Sequence, residues 1–105
     1  MQKITNELRI SNEGILELIV LKMLSKRAYS IKEIFDELKM TGFRTPIGSL
    51  YPLFGKFRKS GLIISGREES EFGGSMKTFD LSTKGIERLR ELRSDWKRLN
   101  HMIHS

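Results

Sequence analysis

The sequence has no cysteine among its 105 residues and no long apolar run. Without cysteine the chain has no disulfide scaffold, no cysteine-ligated zinc finger and no cysteine nucleophile. Glu17 and Lys22 interrupt the most apolar stretch, so nothing approaches the roughly 20 apolar residues of a membrane-spanning helix. The first residues, MQKITNELRISNEG, lack the apolar core of a secretory signal. We therefore expect a soluble, cytoplasmic, single-domain protein without a membrane partner.

Acidic residues are absent from one stretch of the chain, between Leu38 and Arg67. The basic residues of this acid-free stretch are Lys39, Arg44, Lys56, Arg58, Lys59 and Arg67. The rest of the sequence holds thirteen basic and thirteen acidic residues, so the formal net charge of +6 lies entirely within the stretch. Positive charge placed in this way favours contact with nucleic acid, whereas the simpler interpretation is a solvated basic face.

Catalytic and metal-binding patterns are also missing from the sequence. The two histidines, His101 and His104, stand at the end of the chain, so no serine has a plausible histidine and aspartate around it. Gly73 and Gly74 lie within a hairpin pattern and not between a strand and a helix, which argues against a phosphate-binding loop. The histidines could share a metal ion, but they have no cysteine or carboxylate at suitable spacing. We predict no enzyme activity, no cofactor and no metal site.

Two helices are predicted before the acid-free stretch. The first, Asn12 to Lys26, is apolar nearly all round and should be covered on more than one side. Ser30 and Glu33 have the spacing of a capping box and begin the second helix, which runs to about Lys39. Gly42 is the expected left-handed residue that ends this helix. The pattern predicts that the second and third helices are short and are joined to each other by a tight turn.

The third helix has one apolar side, formed by Leu50, Leu53, Phe54 and Phe57. Its other side carries Ser49, Pro52, Gly55, Lys56 and Lys59. Thr45 and Pro46 predict the cap and the first-turn proline of this helix. Pro52 conflicts with that start, because a proline inside a helix removes a backbone donor at a cost of about 3 kcal/mol. A start nearer Gly48 is the alternative.

Residues 62–82 predict a hairpin, because the β-like runs LIISGRE and MKTFDLS flank a loop with two glycines. A last helix begins at Thr83 and carries an apolar seam at heptad spacing. This order of elements is that of a winged helix-turn-helix, whose third helix can lie in the major groove. The predicted fold is mainly α with a small β-hairpin. It comprises a winged helix-turn-helix DNA-binding domain, residues 1–82, and a C-terminal dimerisation helix, residues 83–105, packed as part of the same domain.

The apolar surfaces of the first and last helices exceed what one small domain can cover. Both apolar surfaces are buried if the last helix of one subunit packs on the first and last helices of another. This arrangement predicts a two-fold homodimer. The predicted dimer interface consists of Ile15, Ile19, Leu89, Leu92, Trp96, Leu99 and Ile103.

Three segments resemble the PadR-type transcriptional regulators. GILELIVLKMLSKRAYSIKEIFDEL resembles their opening, GSLYPLFGKFRKSGLI their recognition segment, and KTFDLSTKGIERL their wing strand and the turn into the last helix. The compact chain is most similar to the short-tailed branch. This resemblance implies a dimeric winged-helix regulator, usually a repressor, that a small molecule or other signal releases from its operator. The sequence departs from the family at Lys56, where arginine is frequent, and at residues 76–79, which read MKTF where the wing usually reads Arg-Lys-Tyr-Tyr.

The predicted DNA-binding residues are Lys39, Arg44, Thr45, Ser49, Tyr51, Lys56, Lys59, Arg67 and Lys77. The basic residues are expected to bind phosphate, whereas Ser49, Lys56 and the residues near Pro46 and Ile47 are candidates for reading bases. Tyr51 either completes the core or contacts phosphate through its hydroxyl. The wing glutamates, Glu68, Glu69 and Glu71, would repel phosphate, so we place them on the outer side of the wing.

Trp96 has two interpretations. On the seam of the last helix it is by default a dimer-core residue, because a large aromatic side chain buries well there. The resemblance also implies a cleft between subunits in which a small aromatic effector stacks on this residue. The predicted function is a dimeric transcriptional regulator that acts as a repressor on a pseudo-palindromic operator in double-stranded DNA. The alternatives are a winged-helix protein-interaction module and a non-specific architectural DNA binder.

Overall fold

Four helices and one hairpin form the part of the chain that a computed structural model describes, residues 12–69, 71 and 73–104. In chain order the elements are α1 (Asn12–Lys26), α2 (Ile31–Met40), α3 (Ile47–Lys59), β1 (Ile63–Glu69), β2 (Ser75–Leu81) and α4 (Thr83–His104). The predicted fold class is confirmed. Within these ranges, no helix combines the length and the apolar character needed to cross a membrane.

Helix α2 begins at the predicted capping box. Ser30 Oγ accepts a hydrogen bond from the Glu33 N–H at 3.1 Å, and Glu33 Oε1 accepts one from the Ser30 N–H at 2.9 Å. This reciprocal pair satisfies two backbone donors at the start of the helix. Gly42 has a φ of +84°, as predicted, and the Phe43 N–H bonds back to the Leu38 carbonyl at 3.0 Å. The turn between α2 and α3 is therefore closed by backbone hydrogen bonds.

Helix α3 starts at Ile47, and its N-cap is Pro46, which makes no side-chain cap hydrogen bond. The prediction that Thr45 caps this helix and Pro46 occupies its first turn is therefore wrong by one position. The reason is the conformation of Pro46 itself, whose φ of −65° and ψ of 144° are extended, so the helix begins one residue later. Pro52 lies inside the helix and cannot donate to the carbonyl of Gly48. Both residues are exposed, so water can hydrate that carbonyl.

The buried side of α3 occupies the centre of the core, with Leu50, Leu53, Phe54 and Phe57 all buried. The ring centroids of Phe54 and Phe57 are 5.9 Å apart in an edge-on arrangement. Phe79 of β2 lies 5.0 Å from Phe54. Aromatic pairs of this kind contribute about 0.5–1.5 kcal/mol beyond the apolar area that they bury. Helix α3 is thus packed directly on the hairpin.

The hairpin is antiparallel, with Ile63 opposite Leu81 and Arg67 opposite Lys77. A further connection to it was not predicted. Tyr29, in the segment between α1 and α2, exchanges two backbone hydrogen bonds with Phe79, at 3.0 and 2.8 Å. The wing is therefore joined to the helix-turn-helix through its backbone as well as through side chains.

Helix α4 begins at a junction around Ser82. The Ser82 hydroxyl donates to the Gly61 carbonyl at 2.6 Å and accepts the Gly85 N–H at 3.0 Å, which makes Ser82 the N-cap of α4. The Ser82 N–H donates to the Leu62 carbonyl at 3.0 Å. Gly85 is buried against the backbone of Leu62. Ser82 therefore links the start of α4 to the segment between α3 and β1 by hydrogen bonds.

Candidate nucleic-acid interface

The outer face of α3 carries few bulky side chains. Helical spacing places Gly48, Pro52, Gly55 and Lys59 opposite the buried side, and all four are exposed. A Cβ added at Gly48 or Gly55 would meet nothing within 4 Å. Because glycine has no side chain, another surface can approach the helix backbone closely at these two positions. We did not predict this face with few bulky side chains, although the seven-residue spacing of Gly48 and Gly55 indicated it in the sequence.

A cleft of about 600 Å³ lies between α3 and the turn that precedes it. Arg44 and Thr45 line the cleft from the turn, and Ser49 and Lys56 line it from α3. The structure thus brings four of the predicted DNA-binding residues together. Lys39, near the end of α2, is exposed but does not line the cleft. All six basic residues of the acid-free stretch are exposed, which concentrates positive potential on this part of the surface.

The wing adds a second basic group. Arg67 and Lys77 stand opposite each other on the two strands, and both are exposed. Like charges directly opposite each other repel, and an anion bound there would relieve the repulsion. The Lys77 ammonium and the Arg58 guanidinium lie 5.6 and 5.9 Å from the ring centroid of Phe79. The wing and α3 therefore direct cations to the same aromatic ring. Arg58 belongs to the acid-free stretch, whose positive charge was predicted to attract nucleic acid.

The wing glutamates do not all lie on one side. Glu68 follows Arg67 directly, so strand alternation turns it to the opposite face. Glu69 returns to the face of Arg67, and Glu71 is exposed in the loop. The expectation that all three lie on the outer side is therefore wrong for Glu69, because successive residues of a strand point in opposite directions.

Tyr51 is 57% exposed, so it does not complete the core. Its position on α3, one residue before Pro52, leaves the ring available to a partner. The contact of its hydroxyl with phosphate stays a prediction.

Lys56 has a partner within the protein. Its Nζ lies 3.6 Å from Oε2 of Glu17, a residue of α1 whose side chain is only 9% exposed. Oε1 of Glu17 lies 3.5 Å from Nε of Arg88 on α4. The three residues come from three different helices, so no spacing within a helix could reveal that they meet.

A groove of about 870 Å³ lies between α1 and α4. Its lining consists of Ile15, Leu18, Ile19, Lys22, Arg93, Ser94, Trp96 and Lys97. Trp96 is 45% exposed, and the three apolar residues of α1 are half-buried. The structure thus brings the predicted interface residues Ile15, Ile19 and Trp96 together.

The other predicted interface residues divide into two groups. Leu89 is buried in the core of its own subunit, because α4 packs there on α1 and β2, and Leu92 packs against that core. Leu99 is half-buried. Ile103 is exposed, as are two apolar residues that we did not predict, Ile86 and Met102. The exposed apolar surface of α4 therefore includes its first turn and its last two turns.

Residues 18–91, from α1 into α4, match the model of the Transcriptional regulator PadR-like family. The chain belongs to this family. A PadR-like transcriptional regulator from Bacillus cereus is similar in structure, with a TM-score of 0.80, 28% sequence identity, and coverage of 88% of this chain and 90% of that chain. A Streptococcus transcriptional regulator has a TM-score of 0.81 and 30% identity, with coverage of 88% and 91%. No curated protein matches significantly.

The predicted family is therefore confirmed, and the chain is a PadR-like, DNA-binding transcriptional regulator. The matched range contains α3, the wing and the junction at Ser82. The surface described above is accordingly the candidate DNA interface of a PadR-like winged helix.

Proposed function

We propose that this PadR-like protein is a cytoplasmic, homodimeric repressor that occupies a pseudo-palindromic operator near a promoter. The observation that supports this proposal is the basic surface formed by the end of α2, the turn that follows it, α3 and the wing, on which every cation of the acid-free stretch is exposed. A positively charged surface attracts the phosphate backbone and guides the protein to DNA.

In the proposed complex, α3 lies in the major groove with Gly48 and Gly55 close to the duplex. Thr45 and Ser49 read base edges, and Tyr51 donates its hydroxyl to phosphate. The remaining phosphate contacts are made by Lys39, Arg44, Arg58, Lys59, Arg67 and Lys77. Two copies of α3 in a dimer would reach half-sites about 34 Å apart, one helical turn of DNA.

The proposed dimer uses the apolar surfaces of α1 and α4. Support comes from the groove between these helices and from the exposure of Trp96 and Ile103 in the single chain. Exposed apolar residues in such number on one terminal helix favour a second copy of the chain as their cover.

Operator preference tests the proposal. Duplexes enriched by the protein from a random-sequence pool, and the duplex upstream of its own gene, are compared with scrambled duplexes by fluorescence anisotropy at about 0.15 M salt. We expect the enriched duplex to bind about 10³-fold more tightly than its scrambled form. Equal affinity for both would support an architectural binder. Absence of binding would support a protein-interaction module.

Lys59→Ala tests the phosphate contacts on α3. Lys59 is exposed on the outer face and, among the residues that the structure describes, makes no ion pair. Loss of one phosphate contact should weaken binding to enriched and scrambled duplexes alike and reduce the slope of log K against log salt by about 0.9. Lys84→Ala is a control outside the acid-free stretch. An unchanged slope for Lys59→Ala would remove Lys59 from the interface.

The groove between α1 and α4 supports the proposal of a small aromatic effector. Trp96 and three apolar residues line it, and its lysines and arginine would favour an anionic group on the ligand. We expect a planar aromatic carboxylate to quench Trp96 fluorescence and to lower operator affinity. Quenching without a change in DNA affinity, or no quenching across a panel of such compounds, would contradict the effector role.

A further inference from the structure

Glu17 is a buried carboxylate at the point where three helices meet. It belongs to α1, and its side chain is 9% exposed. Burial of a carboxylate is unfavourable unless cations or hydrogen-bond donors compensate for the lost water. Here the compensation comes from Lys56 of α3 at 3.6 Å and Arg88 of α4 at 3.5 Å. A single side chain therefore holds charged groups from the recognition helix and from the terminal helix.

The two cations approach different oxygens of the carboxylate. Lys56 lies at Oε2 and Arg88 at Oε1, so each can be present without displacing the other. Arg88 has a second carboxylate partner, Glu91, at 3.5 Å on the exposed side of α4. Lys56 makes no other ion pair among the described residues. Within the described part of the chain, Glu17 is thus the sole anion that pairs with the ammonium of Lys56.

The position of Lys56 on α3 bears on whether its ammonium can bind DNA phosphate. Helical spacing puts Lys56 at the edge of the outer face that borders the cleft, beside Ser49, whereas Lys59 lies at the centre of the face. The Lys56 ammonium extends towards α1, where the Glu17 carboxylate offsets part of its charge, although the lysine side chain is 57% exposed. A cation whose charge is partly offset releases fewer counterions when it nears phosphate.

We propose that Glu17 is a positioning residue of the DNA interface. It holds α3 in register with α1 and α4 by pairing with Lys56 and Arg88, so that Lys56 acts within the protein and does not bind phosphate. This inference rests on the proposed DNA-binding function. It also revises the sequence-based assignment of Lys56 to base or phosphate contact.

The salt dependence of binding separates a positioning role from a phosphate contact. Glu17→Gln, Lys56→Gln and Lys59→Gln are each measured by anisotropy on the enriched duplex and on its scrambled form, over a series of salt concentrations. Glu91→Gln is the matched control, because it removes the exposed carboxylate partner of Arg88 and leaves Glu17 in place. Thermal unfolding of each variant shows whether it is folded at the temperature of the titration.

For Glu17→Gln we expect a loss of preference for the enriched duplex of about tenfold, comparable to the loss of one base contact. Binding to the scrambled duplex should not weaken, because the Lys56 ammonium is released. Lys56→Gln should lose preference to a similar degree with its salt slope unchanged, whereas Lys59→Gln should lower the slope by about 0.9. Lys56→Arg, which retains the charge, should restore the preference. Glu91→Gln should behave as the original protein.

Coupling between the variants completes the test. The double variant Glu17→Gln/Lys56→Gln should lose little more preference than either single variant, whereas the effects of Glu17→Gln and Lys59→Gln should multiply.

A slope for Lys56→Gln that falls as much as that of Lys59→Gln would overturn the proposal and make Lys56 a phosphate ligand. Multiplying effects of Glu17→Gln and Lys56→Gln would overturn it as well. If Glu17→Gln does not fold, the salt slope of Lys56→Gln still decides between the two roles. Failure of the original protein to bind any duplex would instead contradict the proposed function.

Discussion

Gly85→Ala is expected to lower the free energy of unfolding by about 3 kcal/mol or more. A Cβ at this position would overlap the carbonyl oxygen of Leu62 and lie 3.0 Å from Cδ2 of Leu81. The Leu81 methyl could move, but the Leu62 carbonyl already accepts the Ser82 N–H at 3.0 Å. Relief of the overlap therefore requires α4 to shift away from the end of α3, which would disturb the cap at Ser82.

Thermal and urea unfolding would measure this effect. For a domain of this size, 3 kcal/mol corresponds to a decrease in Tm of about 12–24 °C. Gly55→Ala is the matched control, since its Cβ would meet nothing within 4 Å in the middle of α3. Because alanine favours helix more than glycine, that control should gain up to about 1 kcal/mol. Equal stability of the two variants would show that the close packing at Gly85 does not limit the fold.

Ile19→Arg is expected to convert the proposed dimer into a monomer and to lower affinity for a two-half-site operator by about 10² or more. Ile19 lines the groove beside Trp96 and is half-buried in the single chain. An arginine there would bring a charge into the apolar surface that the second subunit covers. Without the dimer, the second recognition helix no longer binds intramolecularly, and the avidity of about 10²–10⁴ is lost.

Sedimentation equilibrium and anisotropy on duplexes with one and two half-sites would measure the change. Ile64→Arg is the control, because Ile64 is 57% exposed on the wing and does not line the groove. We expect that variant to remain dimeric. A dimeric Ile19→Arg protein with unchanged operator affinity would place the subunit interface elsewhere on the chain.

Local features of the fold could be predicted because their determinants lie close together in the sequence. Ser30 and Glu33 formed the predicted capping box, and Gly42 adopted the predicted left-handed conformation. The start of α3 was harder to predict, because Thr45 and Pro46 are both acceptable near a helix start. The extended conformation of Pro46, with a ψ of 144°, places the start of the helix at Ile47.

The candidate site was less predictable, because its geometry depends on which elements meet. The charge pattern placed the basic surface on α3 and the turn before it, and these are the elements that line the cleft. No pattern indicated that Glu17 of α1 reaches Lys56, or that Tyr29 bonds to the backbone of Phe79. Likewise, an apolar seam does not distinguish Leu89, which packs inside its own subunit, from exposed Trp96.

Ser82, at the start of α4, is bonded to Gly61, just beyond the end of α3, and Trp96 stands about 20 Å along the helix from Ser82. A rigid tilt of α4 about Ser82 would carry Trp96 with it. A displacement of about 1 Å at Trp96 therefore corresponds to a tilt of about 3°. In the proposed dimer, with half-sites about 34 Å apart, a tilt of that size displaces the far recognition helix by about 2 Å. Hydrogen bonds to base edges tolerate changes of only a few tenths of an ångström in donor–acceptor distance. A small movement in the groove between α1 and α4 is therefore enough to misalign the second recognition helix with its half-site.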